Sequence, residues 1–265
     1  MSKMPVLFIG HGSPMNMVAH NDYTRSLEKL GKTLARPKAI LVISAHYLTN
    51  GTYVTAADNP RMIYDFYGFP EELYSVKYSA PGAPEIAREI TATTKRFGIE
   101  RDEKWGLDHA AYAVLRHIFP QADIPVLELS IDYSPINQWK TKPLQYYYDL
   151  AKELSPLREK GVLIMGSGNI VHNLRVIDFE NVDAAVYPWA RDFDERVKRC
   201  LTAGNYTALL DLNQMGLAAA LAVPTLDHYL PMVQSLALQG KGEPLKFIFE
   251  GFQNASISMR AFQIG

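Results

Sequence analysis

Four short, almost unbroken apolar runs constrain this chain more than any other feature: residues 6–10, 39–45, 126–131 and 161–166. Each is bounded by turn residues and shows little polar–apolar alternation. A strand with one wet face alternates with a period of two. A strand covered on both faces reads as continuously apolar. These runs therefore predict a parallel or mixed sheet sandwiched between two layers. Two later segments, residues 245–249 and 257–264, read as further strands near the end of the chain.

Helical spacing falls between them. Residues 23–34 repeat Leu27, Leu30 and Leu34 on one side, and residues 108–119 repeat Tyr112, Leu115, Ile118 and Phe119. Residues 84–97 open on Pro84, whose missing N–H costs nothing in a first helical turn. Residues 144–154, 190–201 and 226–238 complete the set. Strands alternating with helices predict an α/β fold, a central mixed, mostly parallel sheet flanked by helices. No repeat or low-complexity linker divides it, so one catalytic domain over residues 1–265 is expected. Residues 49–80 are irregular and rich in aromatics: Tyr64, Phe66, Tyr67, Phe69, Tyr74 and Tyr78. They read equally as a pocket wall and as plain core packing.

Charge and composition exclude several functions. The formal net charge is −1, and no Lys/Arg cluster offers a footprint for nucleic acid. The mildly basic residues 196–199 fit a solvated helix face. No apolar run approaches the ~18 residues of a membrane span, and no apolar leader precedes the first strand. The single cysteine, Cys200, cannot form an internal disulfide and sits in a helical pattern as an inert thiol. A cytoplasmic protein is expected.

The seven histidines carry the chemistry. His11 follows the first strand, His46 follows the run 39–45, and His172 lies just past the run 161–166, after the turn Gly166-Ser167-Gly168-Asn169. Three strands thus deliver a histidine near their carboxyl ends, the edge where open α/β sheets bind ligands. Any one of them alone is more often a hydrogen-bonded structural residue; three at equivalent places point to a metal, because neutral imidazole is its commonest ligand. His109 and His228 each follow an aspartate at an expected helix start. Asp108 and Asp227 read as N-caps, or else both imidazoles are aimed from helix N-termini into one cleft. His20 and His117 read as structural or surface residues.

Other chemistries are poorly supported. Gly10-His11-Gly12-Ser13-Pro14-Met15 and Gly166-Ser167-Gly168-Asn169-Ile170-Val171 each lack the third glycine of a dinucleotide-binding turn, and neither leads to a Walker lysine. Ser167 lacks the flanking glycines of a nucleophile elbow. No His-Glu-x-x-His pattern occurs.

Five motifs resemble those of the class III extradiol ring-cleavage dioxygenases, in the branch of the bacterial and plant DOPA 4,5-dioxygenases. They are Gly10-His11-Gly12-Ser13-Pro14, Ser44-Ala45-His46, Trp105-Gly106-Leu107-Asp108-His109, Ser167-Gly168-Asn169-Ile170-Val171-His172-Asn173 and His228-Tyr229-Leu230-Pro231. The resemblance spans nearly the whole chain. It implies one α/β domain holding non-haem Fe(II), with zinc recorded in some members. It implies that His11 and His46 are metal ligands and that His228 takes the third place. The protocatechuate-type relatives have a glutamate there, a departure that leaves Asp227 as a fallback carboxylate. His172 matches the acid/base histidine and could also reach the metal; His109 matches a histidine near substrate and oxygen.

The expected reaction is ring opening of a substituted, DOPA-like catechol by O2. A metal lowers the proton affinity of both hydroxyls, and a neutral imidazole near pH 7 takes the second proton. Three histidines with open positions also describe a catalytic zinc site, so the alternative is a zinc-dependent hydrolase using a metal-bound hydroxide. A zinc-containing binding protein without turnover is a third possibility.

Overall fold

In the computed structural model, which describes residues 3–133 and 143–265, the four apolar runs lie side by side at the middle of one sheet. In chain order the elements are β1 (Val6–Gly10), α1 (Asp22–Thr33), β2 (Ala39–Thr49), β3 (Tyr53–Thr55), α2 (Glu71–Tyr74), α3 (Pro84–Thr93), β4 (Glu100–Asp102), α4 (His109–Ile118), β5 (Val126–Asp132) and α5 (Leu144–Lys152). There follow α6 (Pro156–Glu159), β6 (Val162–Gly168), α7 (Pro188–Ala203), α8 (Gly216–Ala222), α9 (Leu230–Ala237), β7 (Leu245–Phe249), β8 (Phe252–Gln253), β9 (Ile257–Ser258) and β10 (Ala261–Ile264). The large sheet runs β4-β3-β5-β2-β6-β1-β10-β7. Its centre, β5-β2-β6-β1, is parallel throughout. Antiparallel pairs join β3 to β5 on one side and β10 to β1 and β7 on the other. The α/β class and the mixed, mostly parallel sheet are as the sequence predicts.

The missing alternation has a direct cause: both faces of the central strands are core. Val6, Phe8, Leu41, Ile43, Leu127 and Ile164 pack to one side with α5, α7 and α9. Leu7, Ile9, Ile40, Val42 and Met165 pack to the other with α1 and α4. Each such side chain contributes about 1.5–3 kcal/mol on burial. Helix α1 starts where Asn21 and Thr24 cap each other's backbone N–H groups. Helix α4 starts where Asp108 accepts from Ala111. Helix α9 is buried along its whole length, so it lies inside the layer rather than over it. Among the described residues no helix is long and apolar enough to cross a membrane.

Several boundaries differ from expectation, each for a physical reason. Strand β2 continues past the apolar run to Thr49, so His46 lies within it. The ladder there is irregular: pairing to β6 ends at Ser44, and pairing to β5 jumps from Ile43–Leu129 to Leu48–Ile131. His46 thus occupies a bulge, which re-aims a side chain next to a site. Gly166, Ser167 and Gly168 are the end of β6, not a turn. The segment 257–264 is two strands, because β9 turns back on β8 through Asn254 and Ala255, both at positive φ. The helix expected over 226–238 begins only at Leu230, next to Pro231, the residue suited to a first turn. Asp227 and His228 therefore stay in the preceding turn, and Asp227 is not a helix cap.

Candidate active site

Five of the seven histidines converge on one cleft at the carboxyl edge of the parallel strands. The ring centres of His11, His46 and His228 form a nearly equilateral triangle: 5.2 Å from His11 to His46, 5.2 Å from His11 to His228 and 5.0 Å from His46 to His228. His109 stands 4.2 Å from His46 and 5.5 Å from His11. His172 lies flat on His228, with ring centres 3.5 Å apart and planes within 5°. His20 is exposed, and His117 meets the Asn16 carbonyl at 2.8 Å away from the cluster.

Each ring has a structural reason for its place. His11 leaves β1 where Gly10 lets the chain pass close to Ser258 and Arg260; a Cβ on Gly10 would lie 2.8 Å from the Ser258 carbonyl oxygen. Asn169 bridges from Gly12 to Ser258 and donates its backbone N–H to the His228 carbonyl at 2.9 Å, joining β1, β6 and the His228 turn. His172 is held through its backbone, which donates to the Ala222 carbonyl and bridges to Ile257. His109 is the first residue of α4. The preceding turn is anchored by Glu128, buried on β5, which accepts from the Asp108 N–H and the Trp105 indole.

The hydrogen bonds orient the rings. Ser167 donates its hydroxyl to the Ala110 carbonyl, so toward His11 it accepts, and His11 Nδ1 donates to it at 3.0 Å. His46 Nδ1 and His109 Nδ1 lie 2.9 and 3.0 Å from Asp65 Oδ2. His228 Nδ1 is bonded to Asp227. Four Nδ1 atoms are thus occupied by acceptors, which leaves four Nε2 lone pairs for other use. Of these, His11 Nε2 and His46 Nε2 face each other at 3.3 Å, and His228 Nε2 is buried with no hydrogen-bond partner among the described residues.

A divalent metal fits this arrangement. Rings that each hold one ion through a nitrogen about 2.1 Å away stand about 5 Å apart, which is the spacing of the His11–His46–His228 triangle. Imidazoles whose far nitrogen is held by a carboxylate or hydroxyl are the usual surroundings of such an ion. Two sets of potential ligand atoms lie within 4.8 Å of one another: His11, His46 and His109, and His172, Asp227 and His228. His109 is thus grouped with His11 and His46, and His228 with His172 and Asp227.

Burial is the main cause of the proton affinities. It pushes His11 and His172 well below the ordinary imidazole value, helped by neighbouring histidines, and it lowers His109 and His228 despite Asp65 and Asp227. For His46 burial works the same way, but the Asp65 hydrogen bond and the nearby carboxylates outweigh it and hold the value up. Asp65 and Asp227 are held below the usual carboxylate range because their histidine partners overcome the cost of burial.

Asp65 is the residue that sequence reasoning missed. It lies in the aromatic segment 49–80, in no motif. That segment does both jobs proposed for it: Phe66, Leu73, Val76 and Tyr78 are core, while Phe66 also stands edge-on to His109 at 5.6 Å.

Comparison with known proteins places this site in a class. Residues 5–260 match the family described as "Catalytic LigB subunit of aromatic ring-opening dioxygenase". The chain belongs to that family; it is a metal-dependent extradiol ring-opening dioxygenase. Among individual proteins, it is 42% identical to the 4,5-DOPA dioxygenase extradiol of Escherichia coli K12, over all of this chain and 96% of that one. It is 34% identical to the enzyme of the same name from Beta vulgaris, over 97% and 94%. An uncharacterised Escherichia coli K12 protein of known crystal structure superposes with a TM-score of 0.84 at 38% identity, covering 99% of this chain and 100% of its own. None of this favours the hydrolase alternative.

Proposed function

We propose that the chain opens the ring of a substituted, DOPA-like catechol with O2, using a metal held by His11, His46 and His228, and that residues 1–265 act as one catalytic domain in the cytoplasm. The observation that carries this reading is the orphaned, buried Nε2 of His228 beside the facing Nε2 atoms of His11 and His46. A buried imidazole nitrogen without a partner is costly, and an ion shared with two further imidazoles removes that cost. The same observation favours His228 over His109 as third ligand. The substrate class follows from the relatives, whose names specify 4,5-DOPA.

Fe(II) is the metal we assign for turnover: held by His11, His46 and His228, it would supply a Lewis acid for the catechol hydroxyls and a change of oxidation state that zinc cannot supply, with zinc an alternative occupant of the isolated protein. The protein's own groups handle protons and shape. His172 is assigned to proton transfer. Its ring lies parallel to His228, alongside rather than convergent with it, and burial keeps it neutral, so that its nitrogen lone pair is not already protonated. His109, with Nδ1 bonded to Asp65, presents Nε2 as an acceptor for a substrate hydroxyl. Phe66 walls this side of the cleft against water.

The test is anaerobic loading with Fe(II), followed by a catechol panel that includes DOPA, with oxygen uptake and a yellow semialdehyde product as readouts. Stoichiometric oxygen uptake supports the reading. Ester or amide hydrolysis by the zinc form, with no oxygen uptake by the iron form, overturns it.

A further inference from the structure

Among the described residues Asp65 makes three polar contacts, all with histidines of the cleft. Oδ2 lies 2.9 Å from His46 Nδ1 and accepts from His109 Nδ1 at 3.0 Å. Oδ1 accepts the backbone N–H of His109 at 3.0 Å. The segment that brings it is clamped: Ile63 N–H donates to Leu107 O at 2.8 Å, Leu107 N–H donates to Arg61 O at 2.8 Å, and the Tyr112 hydroxyl donates to Ile63 O at 3.1 Å. A Cβ on Gly106 would lie 1.8 Å from the Arg61 carbonyl oxygen, so this close approach needs glycine. The carboxylate is therefore delivered by fixed backbone.

We propose that Asp65 is a positioning residue that sets the tautomers of His46 and His109 together, keeping both Nδ1 atoms protonated and both Nε2 atoms free as acceptors. This rests on the reading of His46 as a metal ligand and His109 as a substrate-facing group. A neutral imidazole carries one N–H, and the partner of one nitrogen decides the role of the other. In the common arrangement one carboxylate orients one ring. Here one oxygen serves two rings whose centres are 4.2 Å apart, so the metal side and the substrate side of the cleft share a single orienting group.

Asparagine cannot reproduce this, although it is nearly the same size. Three donors converge on Asp65, and an amide offers one accepting oxygen and one donating NH2. If the oxygen faces the rings, the NH2 meets the His109 backbone N–H. If the amide is reversed, the NH2 faces both rings, each accepts at Nδ1, and the N–H moves to Nε2. On His46 that hydrogen would occupy the position a metal needs.

The experiment compares wild type, Asp65→Asn, His46→Ala, His109→Ala and the double variant Asp65→Asn/His109→Ala. Zinc affinity is measured by chelator competition, which needs no turnover, and ring tautomers are read from imidazole 15N–1H correlations of the zinc-loaded protein. Wild type should show Nδ1–H on both His46 and His109. Asp65→Asn should bind zinc about 10–100-fold more weakly, and should do so in the His109→Ala background as well, because it acts on the metal through His46. It should also shift the His109 signal toward Nε2–H. An Asp65→Asn protein with wild-type zinc affinity and wild-type tautomers overturns the proposal. Nε2–H on either ring of the wild type overturns it without any variant, so a failure of Asp65→Asn to fold leaves it open to refutation. If His46→Ala keeps full zinc affinity, the metal reading itself fails, and the proposal with it.

Discussion

A single methyl group at Gly168 tests the site through its backbone. A Cβ there would lie 2.2 Å from the carbonyl oxygen of His228 and 3.1 Å from its carbonyl carbon. Real Cβ atoms essentially never approach closer than 3.0 Å, so the His228 carbonyl or the end of β6 must move by about 0.8 Å. The obstacle is backbone, and the same carbonyl is tied to Asn169 N–H at 2.9 Å, so no side-chain rotation relieves it. A misplacement near 1 Å in a reacting geometry costs about 10²-fold, equivalent to about 2.7 kcal/mol. Gly168→Ala should therefore lose about 10²-fold in turnover together with metal affinity, measured by oxygen uptake and chelator competition on protein shown to be folded. Gly31→Ala is the control. Its Cβ would lie 2.1 Å from the Ile118 carbonyl oxygen, where α1 packs on the far end of α4, about 14 Å along that helix from His109. It should lower the melting temperature while kcat and metal affinity of the folded fraction stay unchanged. Gly168→Ala with both properties within twofold of wild type, or Gly31→Ala matching its losses, would refute the reasoning.

Removing His228 and removing His109 should separate ligand from neighbour: elemental analysis of His228→Ala should find most metal gone, and of His109→Ala most metal kept, the reverse result transferring the third position to His109. His172→Ala should keep metal and bind catechol while turnover falls ~10²–10⁴-fold; loss of metal before loss of turnover would make it a ligand instead. Acid should weaken the apoprotein. Burial holds His11, His109, His117, His172 and His228 below the imidazole value of 6.5, with only His46 shifted the other way. The unfolded chain then binds more protons than the folded one as pH falls past 6.5, so stability is retained above that value and lost below it. The apoprotein melting temperature should fall between about pH 7.5 and pH 5.5; no change over that interval would contradict the assignment.

The central sheet was legible because both of its faces are core, which keeps most residues of β1, β2, β5 and β6 apolar. The edges were not: β3 and β4 are three residues each, and β4 is the charged Glu100-Arg101-Asp102. The histidines were legible from their places after strands. What each ring does with its second nitrogen was not. Ser167 reads in sequence as a failed nucleophile, yet it fixes His11. Asp227 reads as a cap, yet the helix starts three residues later at Leu230, beside Pro231, and the carboxylate is left for His228. Asp65 precedes His109 by 44 positions and carries no local pattern, because the contact depends on how the aromatic segment folds back over α4. His46 reads in sequence as following a strand that ends at Ala45, whereas Tyr47 and Leu48 carry the strand on through the bulge that aims it.

The order of strands has a consequence for how a newly made chain acquires the cluster. β1, which carries His11 at its end, is the first strand made, yet its neighbours are β6 and β10, drawn from the middle and end of the sequence. His11, His46 and His228 cannot meet until the turn after α8 has left the ribosome and closed over β6. Until β6 is made the first strand has two unpaired edges and an apolar surface on each face, the state most exposed to aggregation and to chaperones, and its other edge stays open until β10 follows. Long-range parallel pairing of this kind also closes slowly. Competence to gather the five imidazoles is therefore a late event in the life of the chain, and recovery of the histidine cluster after denaturation reports the docking of its last third.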